Sequence, residues 1–561
     1  MITRHFLDLP ARRVHFLRSG DGPPAVLIHS SPANVWLLEK EIERLCREFT
    51  VFAFDTPGFG LSDPLPGTVL EVSDLADALA ETLEALGMPA CPIFGTHTGA
   101  AIALEFGVRH PARATGLVLD GVPVFTDEEC QRYFGDYFRS LPLDDLGSQY
   151  SATWTRFRDQ SIWFPWSERV AAHFNPYDLG PPHSTHLWVS MYFEAADHYT
   201  PAYRAASYYG RKALVAASAL TLPTVYTAIE TDMLYPHLER LPALKPGQSI
   251  EAIGSSYERK RDLIADSFAR YGAAGPAPLT TPVIGTSAGL SRQFVRGTAG
   301  NLHLRWAGQR NATPLLVLHD APGSSEQIVP LIEELGKTHF AIAPDLPGCG
   351  ESDRFATQPT VHDYVADLLA LLDTLDLGSV HALGIGFGGS IAVELARRAP
   401  DRVDALALCG LALPDVAERT ELVARIAPEI GIESDGAHWY RTWLMLRDWQ
   451  VYWPWFDRRQ HKLRRIDADF SARPLHRWTL DVMRARTSYH HLIHAALAHD
   501  AAAALQQVEP PLVLLQDRGR PLSAYDAALA ASRPDAPVMA VADPADYAAA
   551  LAARWLASSA A

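Results

Sequence analysis

The sequence predicts two consecutive α/β domains, each with a mostly parallel sheet flanked by helices and covered by a helical cap. The first observation is that a long sequence pattern occurs twice in the 561 residues. The second is that short Val, Ile, Leu and Phe runs alternate with helical patterns, which is typical of parallel sheets buried on both faces. The third is that each half contains a long insertion rich in Trp, Tyr and Phe, which favours a cap over the sheet.

Two short motifs carry the internal repeat. The sequence His29-Ser-Ser-Pro recurs as His319-Asp-Ala-Pro, and the Asp-Xaa-Pro-Gly-Xaa-Gly-Xaa-Ser-Asp motif at Asp55 recurs at Asp345. Each motif recurs 290 residues later in the chain, from His29 to His319 and from Asp55 to Asp345. Similarity over a whole domain length indicates a tandem duplication.

The repeat and the local composition set the expected domain boundaries. Residues 1–275 form the first predicted domain, with a cap at about 125–218. Residues 276–290 form a linker, because the run between Arg270 and Arg292 is rich in Gly, Ala, Pro and Thr and holds no charged residue. Residues 291–561 form the second predicted domain, with a cap at about 415–505.

Composition excludes several classes of protein. The net charge is -16, from 49 Lys and Arg against 65 Asp and Glu, which disfavours nucleic acid or an anionic membrane as a partner. The first 20 residues lack the apolar core of a secretory signal. The longest uncharged apolar stretch, residues 214–229, is broken by Pro223 and is shorter than a membrane span of roughly 20 residues. We therefore expect a cytoplasmic protein without a membrane span.

A third motif completes the resemblance to a known family. The sequence Gly-Thr-His-Thr-Gly around His97 is matched by Gly-Ile-Gly-Phe-Gly around Gly386, and each follows a predicted strand and precedes a predicted helix. Together with the two motifs above, this pattern resembles the α/β-hydrolase superfamily, and it looks like the capped branch that holds epoxide hydrolases and haloalkane dehalogenases. The resemblance covers nearly the whole chain, twice.

In the first half, the resemblance implies an unusual set of catalytic residues. The middle residue of the strand-to-helix turn is a Ser, Asp or Cys nucleophile in this family, and here it is His97. The family acid follows the seventh strand, where Asp232 stands, but no histidine occurs in residues 253–257, where the family histidine is expected. A carboxylate beside an imidazole raises the basicity of the ring, so His97 and Asp232 are the candidate catalytic pair.

The resemblance also implies an oxyanion hole and a substrate pocket in the first half. The hole is expected from main-chain N–H groups of Thr98 and of either Ser30 or Ser31. Because neither donor is a side chain, replacing the family nucleophile leaves the hole intact. Three further residues, one in the first motif and two in the cap, are candidates for substrate binding: His29, Trp163 and Trp166.

The second half lacks the side chains of a catalytic site. Gly386 has no side chain at the turn, Gly519 or Arg520 occupies the place of the family acid, and no histidine follows His499. We expect a degenerate domain that pairs with the first one, and oligomerisation of the whole chain remains open.

No cofactor or metal is expected. The Gly-Xaa-Gly-Xaa-Xaa-Gly sequence that begins at Gly384, with Asp404 beyond it, has the form of a dinucleotide fingerprint. That fingerprint should end the first strand of its unit, whereas two earlier strands precede this one, so a degenerate turn is the better interpretation. His490 and His494 have the spacing of two metal ligands, but without a third ligand in register they are interpreted as surface or packing residues.

The sequence therefore favours an enzyme whose first domain acts on a small hydrophobic or aromatic carbonyl compound, with His97 as general base or nucleophile. Hydrolysis, C–C cleavage, elimination and cyclisation all remain open at this stage. The alternative is a non-catalytic protein, in which His97 fills an inactive site and the caps bind a hydrophobic ligand or the chain acts as a scaffold.

Overall fold

The computed structural model describes residues 1–138, 142–195, 198–280, 284–285 and 289–558. The chain divides into two compact units. The first comprises Met1–Pro142 and Ser151–Thr281, and the second comprises Leu143–Tyr150 and Pro282–Ala561. Of the predicted linker 276–290, residues 281–283 and 286–288 lie outside the described residues.

The second unit includes a short segment from the region predicted for the first cap, Leu143–Tyr150. Within that unit the ring of Tyr150 stacks on Trp439, with 6.0 Å between centroids and an interplanar angle of 12°. The Tyr150 hydroxyl lies 3.0 Å from Nδ1 of His476. These contacts bind Tyr150 to two helices of the second unit.

The first unit contains an eight-stranded sheet in the order β1-β2-β4-β3-β5-β6-β7-β8. The second strand is antiparallel to both of its neighbours, and the other adjacent strands are parallel. The strands are β1 (Thr3–Asp8), β2 (Arg13–Ser19), β3 (Pro24–Ile28), β4 (Thr50–Phe54), β5 (Cys91–Thr96), β6 (Ala114–Asp120), β7 (Thr224–Thr227) and β8 (Gln248–Ile250).

The helices of the first unit fall into a flanking set and an inserted set. The flanking helices are α1 (Glu39–Leu45), α2 (Val72–Ala85), α3 (Thr98–Arg109) and α9 (Tyr257–Tyr271). Those inserted between β6 and β7 are α4 (Asp127–Phe134), α5 (Ser148–Gln160), α6 (Pro182–Ala195), α7 (Tyr199–Ser207) and α8 (Gly210–Ala219). The first three residues of α5 fall in the segment counted with the second unit, and its remaining residues belong to the first.

The sheet of the second unit repeats this topology, in the order β9-β10-β12-β11-β13-β14-β15-β16. Its strands are β9 (Ser291–Arg296), β10 (Asn301–Ala307), β11 (Pro314–Leu318), β12 (Phe340–Pro344), β13 (Val380–Ile385), β14 (Val403–Cys409), β15 (Leu512–Gln516) and β16 (Val538–Ala540).

The second unit also has flanking and inserted helices. The flanking helices are α10 (Val329–Leu335), α11 (Val361–Thr374), α12 (Gly388–Arg398), α18 (Asp526–Ser532) and α19 (Pro544–Ser558). Those inserted between β14 and β15 are α13 (Val416–Arg425), α14 (Ala437–Val451), α15 (Ala472–Arg484), α16 (His490–Ala498) and α17 (Ala501–Leu505). Two mostly parallel sheets flanked by helices confirm the predicted fold class.

The central strands form because their residues are apolar on both faces. Every residue of β3, β4 and β5 is buried, as parallel strands covered by helices on both sides require. The carboxyl ends of these parallel strands meet at one edge of the sheet, so loops that are distant in sequence converge there. Among the described residues, the structure contains no helix long and apolar enough to cross a bilayer.

A buried carboxylate fixes two of these loops in each unit. Oδ2 of Asp55 lies 2.7 Å from Nδ1 of His15, and the carboxylate accepts hydrogen bonds from the N–H groups of Val35 and Leu61 at 2.9 and 3.0 Å. Val35 belongs to the loop after β3, and Leu61 belongs to the loop after β4. The second unit repeats the arrangement at Asp345. The Asp-Xaa-Pro-Gly motif thus has a structural role in both units.

We expect Asp55→Asn to lower the free energy of unfolding by about 3 kcal/mol, because an amide cannot accept all the hydrogen bonds that the buried carboxylate accepts. Burial alone would raise the pKa of the Asp55 carboxyl, but the hydrogen bond and charge of His15 hold that pKa below its usual value. The carboxylate therefore stabilises the fold above the pKa of an unfolded Asp, about 4, and this contribution is lost as the pH falls below that value.

Urea denaturation of wild type and variant across this pH range measures both effects. The exposed Asp21→Asn variant is the control and should unfold like wild type. Equal stability of wild type and Asp55→Asn at neutral pH would contradict the structural role.

Candidate functional site

The turn between β5 and α3 places His97 at the carboxyl edge of the first sheet. His97 has φ 49° and ψ -106°, a conformation that L residues rarely adopt. Its main-chain N–H donates to the carbonyl oxygen of Asp120 at 2.8 Å. A Cβ at Gly99 would lie 2.2 Å from the carbonyl oxygen of Ile28, so only glycine fits where α3 crosses β3. The sharp turn holds the imidazole above the strand end.

The structure brings the predicted catalytic pair together. Nε2 of His97 lies 2.7 Å from Oδ2 of Asp232. The other oxygen, Oδ1 of Asp232, accepts a hydrogen bond from the N–H of Leu234 at 2.8 Å, which fixes the carboxylate in the loop after β7. The two side chains are 33% and 22% exposed, so the pair lies at the surface of a cavity rather than in the core.

Each member of the pair favours the charged form of the other. Burial alone would lower the pKa of His97, but the charge and hydrogen bond of Asp232 outweigh burial and raise it above the usual value. Burial alone would raise the pKa of Asp232, but the charge and hydrogen bond of His97 hold it below the usual value. An ionised Asp232 accepts a hydrogen bond from Nε2–H, so Nδ1 of a neutral His97 carries the free lone pair.

Two main-chain N–H groups lie beside the turn. Thr98 is the first residue of α3, so its N–H has no acceptor within the helix. The N–H of Ser31 donates to Oγ1 of Thr98 at 3.3 Å. The Ser31 hydroxyl is buried and has no hydrogen-bond partner among the described residues. Ser31 and Thr98 thus lie side by side at the turn.

A cavity of about 590 Å³ lies over the pair. Its floor includes Ser30, Ser31, His97 and Asp232 from the sheet edge. Its cap side is mostly aromatic, with two amide side chains, and consists of Tyr137, Gln160, Phe164, Asn175, Tyr177, Trp188 and Tyr203.

The three predicted substrate-binding residues do not line this cavity. His29 is fully buried, with Nδ1 2.9 Å from the carbonyl oxygen of Ser30 and Nε2 accepting from the N–H of Thr56 at 3.0 Å. Trp166 is buried and donates to the carbonyl oxygen of Tyr137, while Trp163 stacks on Phe174. His29 recurs as His319 because it holds two loops together, and the two tryptophans pack within the cap.

The same cavity also contains a buried ionic cluster of Lys260, Asp120 and Glu41 that the sequence did not predict. Nζ of Lys260 lies 3.1 Å from Oδ2 of Asp120 and 3.8 Å from Oε1 of Glu41. Burial alone would lower the pKa of Lys260, but the two carboxylates raise it, so the ammonium stays charged. The position of Asp120 at the carboxyl end of β6 could have indicated a site residue, because the ends of the parallel strands converge at this edge of the sheet. Nothing in the local sequence marks Lys260.

In the second unit, a carboxylate from a neighbouring loop fills the space above the turn. Gly386 has φ 57°, and a Cβ there would lie 2.0 Å from the carboxyl carbon of Asp320. Oδ1 of Asp320 accepts hydrogen bonds from the N–H groups of Ala321 and Phe387 at 2.8 and 2.9 Å. These donors correspond to Ser31 and Thr98 of the first unit. In the second unit, the two N–H groups therefore point at one oxygen atom, Oδ1 of Asp320.

A second cavity, of about 540 Å³, lies over Asp320. Burial raises the pKa of Asp320, although the N–H of Phe387 and the charges of Arg520 and Arg464 act against this. The cavity is lined by charged residues and by Trp449 and Trp478. The Asp320 carboxylate thus accepts both N–H groups beside the turn in this unit.

The described residues contain no group of three or more His, Cys, Asp or Glu side chains suited to a metal ion. His490 and His494 pack against each other, with 5.3 Å between ring centroids. The Gly384 motif forms the turn between β13 and α12, at the fifth strand of its unit.

Comparison with known proteins agrees with the duplication. A family model described as alpha/beta hydrolase fold matches residues 23–253 and again residues 313–532. The haloalkane dehalogenase of Psychrobacter cryohalolentis is 35% identical over 118 residues, which are 20% of this chain and 38% of that protein. The 2-hydroxymuconate semialdehyde hydrolase of a Pseudomonas species is 36% identical over 143 residues, which are 24% of this chain and 46% of that protein.

The chain therefore spans less than half the length of these curated relatives. Among solved structures, a Vigna radiata epoxide hydrolase mutant matches 48% of this chain and 98% of its own chain, at 17% identity and a TM-score of 0.39.

We expect Gly386→Ala to lower the free energy of unfolding by about 1–3 kcal/mol, because the new Cβ meets the Asp320 carboxylate and the backbone has positive φ. In an Asp320→Ala background the collision is removed and only the backbone strain remains, so the loss should be smaller. A double-mutant cycle by chemical denaturation measures this coupling.

Gly378→Ala is the matched control, since a Cβ there meets nothing within 4 Å. Equal losses for Gly386→Ala in both backgrounds would show that Asp320 does not occupy the space above the turn.

Proposed function

The chain belongs to the α/β-hydrolase fold family, since the family model matches both units, and from this premise we propose that its first unit is an enzyme of hydrolase or lyase type. The substrate class is a small hydrophobic or aromatic carbonyl compound. The observation that carries this proposal is the hydrogen bond of 2.7 Å between His97 and Asp232 at the floor of the cavity.

His97 acts as general base through Nδ1. Asp232 accepts a hydrogen bond from Nε2–H, fixes the tautomer and stabilises the imidazolium that forms when Nδ1 takes a proton. In a hydrolysis, Nδ1 removes a proton from water as the water oxygen attacks the carbonyl carbon. The imidazolium then returns this proton to the leaving group, so that the base is regenerated. In an elimination, Nδ1 removes the proton from the carbon next to the carbonyl and the electron pair forms an enolate. The enolate then expels a leaving group from the neighbouring carbon as the new C=C bond forms, and the imidazolium gives its proton to that leaving group.

The N–H groups of Ser31 and Thr98 stabilise the negative charge that develops on the carbonyl oxygen. Support comes from the second unit, where the equivalent N–H groups of Ala321 and Phe387 both donate to one carboxylate oxygen. The aromatic side chains of the cap favour an aromatic or apolar substrate body, and Gln160 and Asn175 offer polar contacts to it.

The second unit has no part in this chemistry. It lacks a side chain at Gly386, and its own Asp320 carboxylate occupies the two N–H donors that a substrate oxygen would use.

Replacement of the pair should lower activity in a fixed order. His97→Ala deletes the proton acceptor and should reduce kcat by roughly 10²- to 10⁴-fold if His97 is a base, and by more if it is a nucleophile. Asp232→Asn should cost less, because the imidazole remains but loses its orientation and part of its basicity. Turnover of p-nitrophenyl acetate and of an aryl 1,3-diketone distinguishes acyl transfer from C–C cleavage.

Gly386→Ala and Asp320→Ala, in the second unit, are the control variants and should keep wild-type turnover where they fold. The rate should fall as the pH drops through the His97 pKa, because the protonated ring cannot accept a proton. Full activity of a folded His97→Ala protein would overturn the mechanism. Binding of the aromatic compounds without turnover in wild type would instead support a ligand-binding protein.

A further inference from the structure

The ionic pair of Asp120 and Lys260 lies directly beside His97. The carbonyl oxygen of Asp120 accepts the main-chain N–H of His97 at 2.8 Å. The carboxylate of Asp120 accepts hydrogen bonds from the hydroxyl of Thr96, the residue before His97, at 3.0 Å and from Nζ of Lys260 at 3.1 Å. Asp120 is 3% exposed and Lys260 is 8% exposed, so water screens their charges only weakly.

The second unit provides an internal comparison. Asp120 is the last residue of β6, and its counterpart Cys409 is the last residue of β14. Lys260 is the fourth residue of α9, and its counterpart Tyr547 is the fourth residue of α19. Sγ of Cys409 lies 2.9 Å from the hydroxyl of Tyr547. The contact between strand end and helix is therefore ionic where the turn carries His97. Where the turn carries glycine, a thiol and a phenol make it, and the phenol also donates to the Asp517 carboxylate at 2.9 Å.

We propose that Asp120 and Lys260 are positioning residues that set the proton affinity of the His97 imidazole. The inference rests on the proposed function, because it concerns the same base. Without Lys260, His97 would lie between two uncompensated carboxylates, Asp232 and Asp120, and both would favour the protonated ring. A protonated ring is no base, so the Lys260 ammonium keeps His97 able to accept a proton near neutral pH.

The other titratable groups near His97 do not provide this balance. Burial lowers the pKa of His237 to about 4, so this ring is neutral at neutral pH. Burial and the charge of Asp232 raise the pKa of Tyr177 to about 12, so its hydroxyl is also neutral. Lys40 and Arg261 line the cavity as well, but the side chain of Lys40 is 65% exposed and Arg261 is half-buried, so water screens their charges more than that of buried Lys260.

Glu41 is the remaining charged group, 3.8 Å from Lys260, on α1. It offsets part of the Lys260 charge but cannot replace it. The groups that bias the protonation of His97 are therefore Asp232 and Asp120 in one direction and Lys260 in the other.

A titration of the His97 ring by NMR tests the inference without any substrate. In the full-length protein with ¹³C-labelled histidine, the signal lost in His97→Ala identifies His97, and its midpoint is read from the shift of the labelled carbon. Lys260→Met should raise the midpoint by about one pH unit, because it removes a positive charge and leaves Asp120 uncompensated. Asp120→Asn should lower the midpoint by a similar amount, because it removes a negative charge and leaves Lys260.

Three control variants separate charge from structure. Lys260→Arg keeps the charge and should titrate close to wild type. Tyr547→Phe breaks the neutral pair of the second unit and should not move the midpoint. The double variant Asp120→Cys with Lys260→Tyr transfers the neutral pair of the second unit to the first, and should shift the midpoint less than either charge-altering single variant.

Shifts of Lys260→Met and Asp120→Asn in the same direction, or no shift in either folded variant, would overturn the inference. Circular dichroism establishes folding, and if Lys260→Met does not fold, the near-isosteric Asp120→Asn carries the test alone. Failure here is distinct from failure of the proposed function. If the two variants shift the His97 midpoint in opposite directions and His97→Ala keeps full activity, the charge balance is upheld and the catalytic base is rejected. If the two shifts are not opposite and His97→Ala is inactive, the catalytic base is upheld and the charge balance is rejected.

Discussion

The turn at the carboxyl end of the fifth strand imposes the constraint on which each site depends. The chain must pass from strand to helix at one residue with positive φ, and that residue is His97 in the first unit and Gly386 in the second. Glycine adopts this conformation without strain, whereas histidine does so at a cost of order 1–3 kcal/mol. A strained side chain held above a sheet edge needs a compensating contact, and His97 has one in the hydrogen bond to Asp232.

The two units show two ways of filling the same position. In the first, the imidazole stands above the turn, and the N–H groups of Ser31 and Thr98 remain beside it. In the second, Asp320 reaches across from the loop after β11 and accepts both equivalent N–H groups. In the second unit both N–H groups thus donate to Asp320, whereas in the first unit the Ser31 N–H donates to Oγ1 of Thr98. The two units share the loop contacts of Asp55 and Asp345, but they differ in the residue at the turn after the fifth strand, which is His97 in one and Gly386 in the other.

The fold was predictable because its signals are local and occur twice. The motifs at His29 and Asp55 mark loops that buried hydrogen bonds hold in both units, and runs of apolar residues mark the strands. The pairing of His97 with Asp232 was predicted from the resemblance to α/β-hydrolases, in which these two positions hold catalytic residues. Lys260 could not be predicted, because its contact with Asp120 spans 140 residues and depends on how α9 packs. Trp163 and Trp166 do not line the cavity: both lie in the loop after α5, and aromatic composition does not tell which side chains of such a loop point inward.

The protonation state of the His97 ring tests the central claim most directly, because a base at Nδ1 requires the proton to sit on Nε2. Nitrogen-15 NMR of histidine-labelled protein, at a pH well above the His97 midpoint, distinguishes the two neutral tautomers of this ring. We expect Nε2, which faces Asp232, to carry the proton and Nδ1 to be unprotonated. A ring protonated on Nδ1, with Nε2 free, would contradict it.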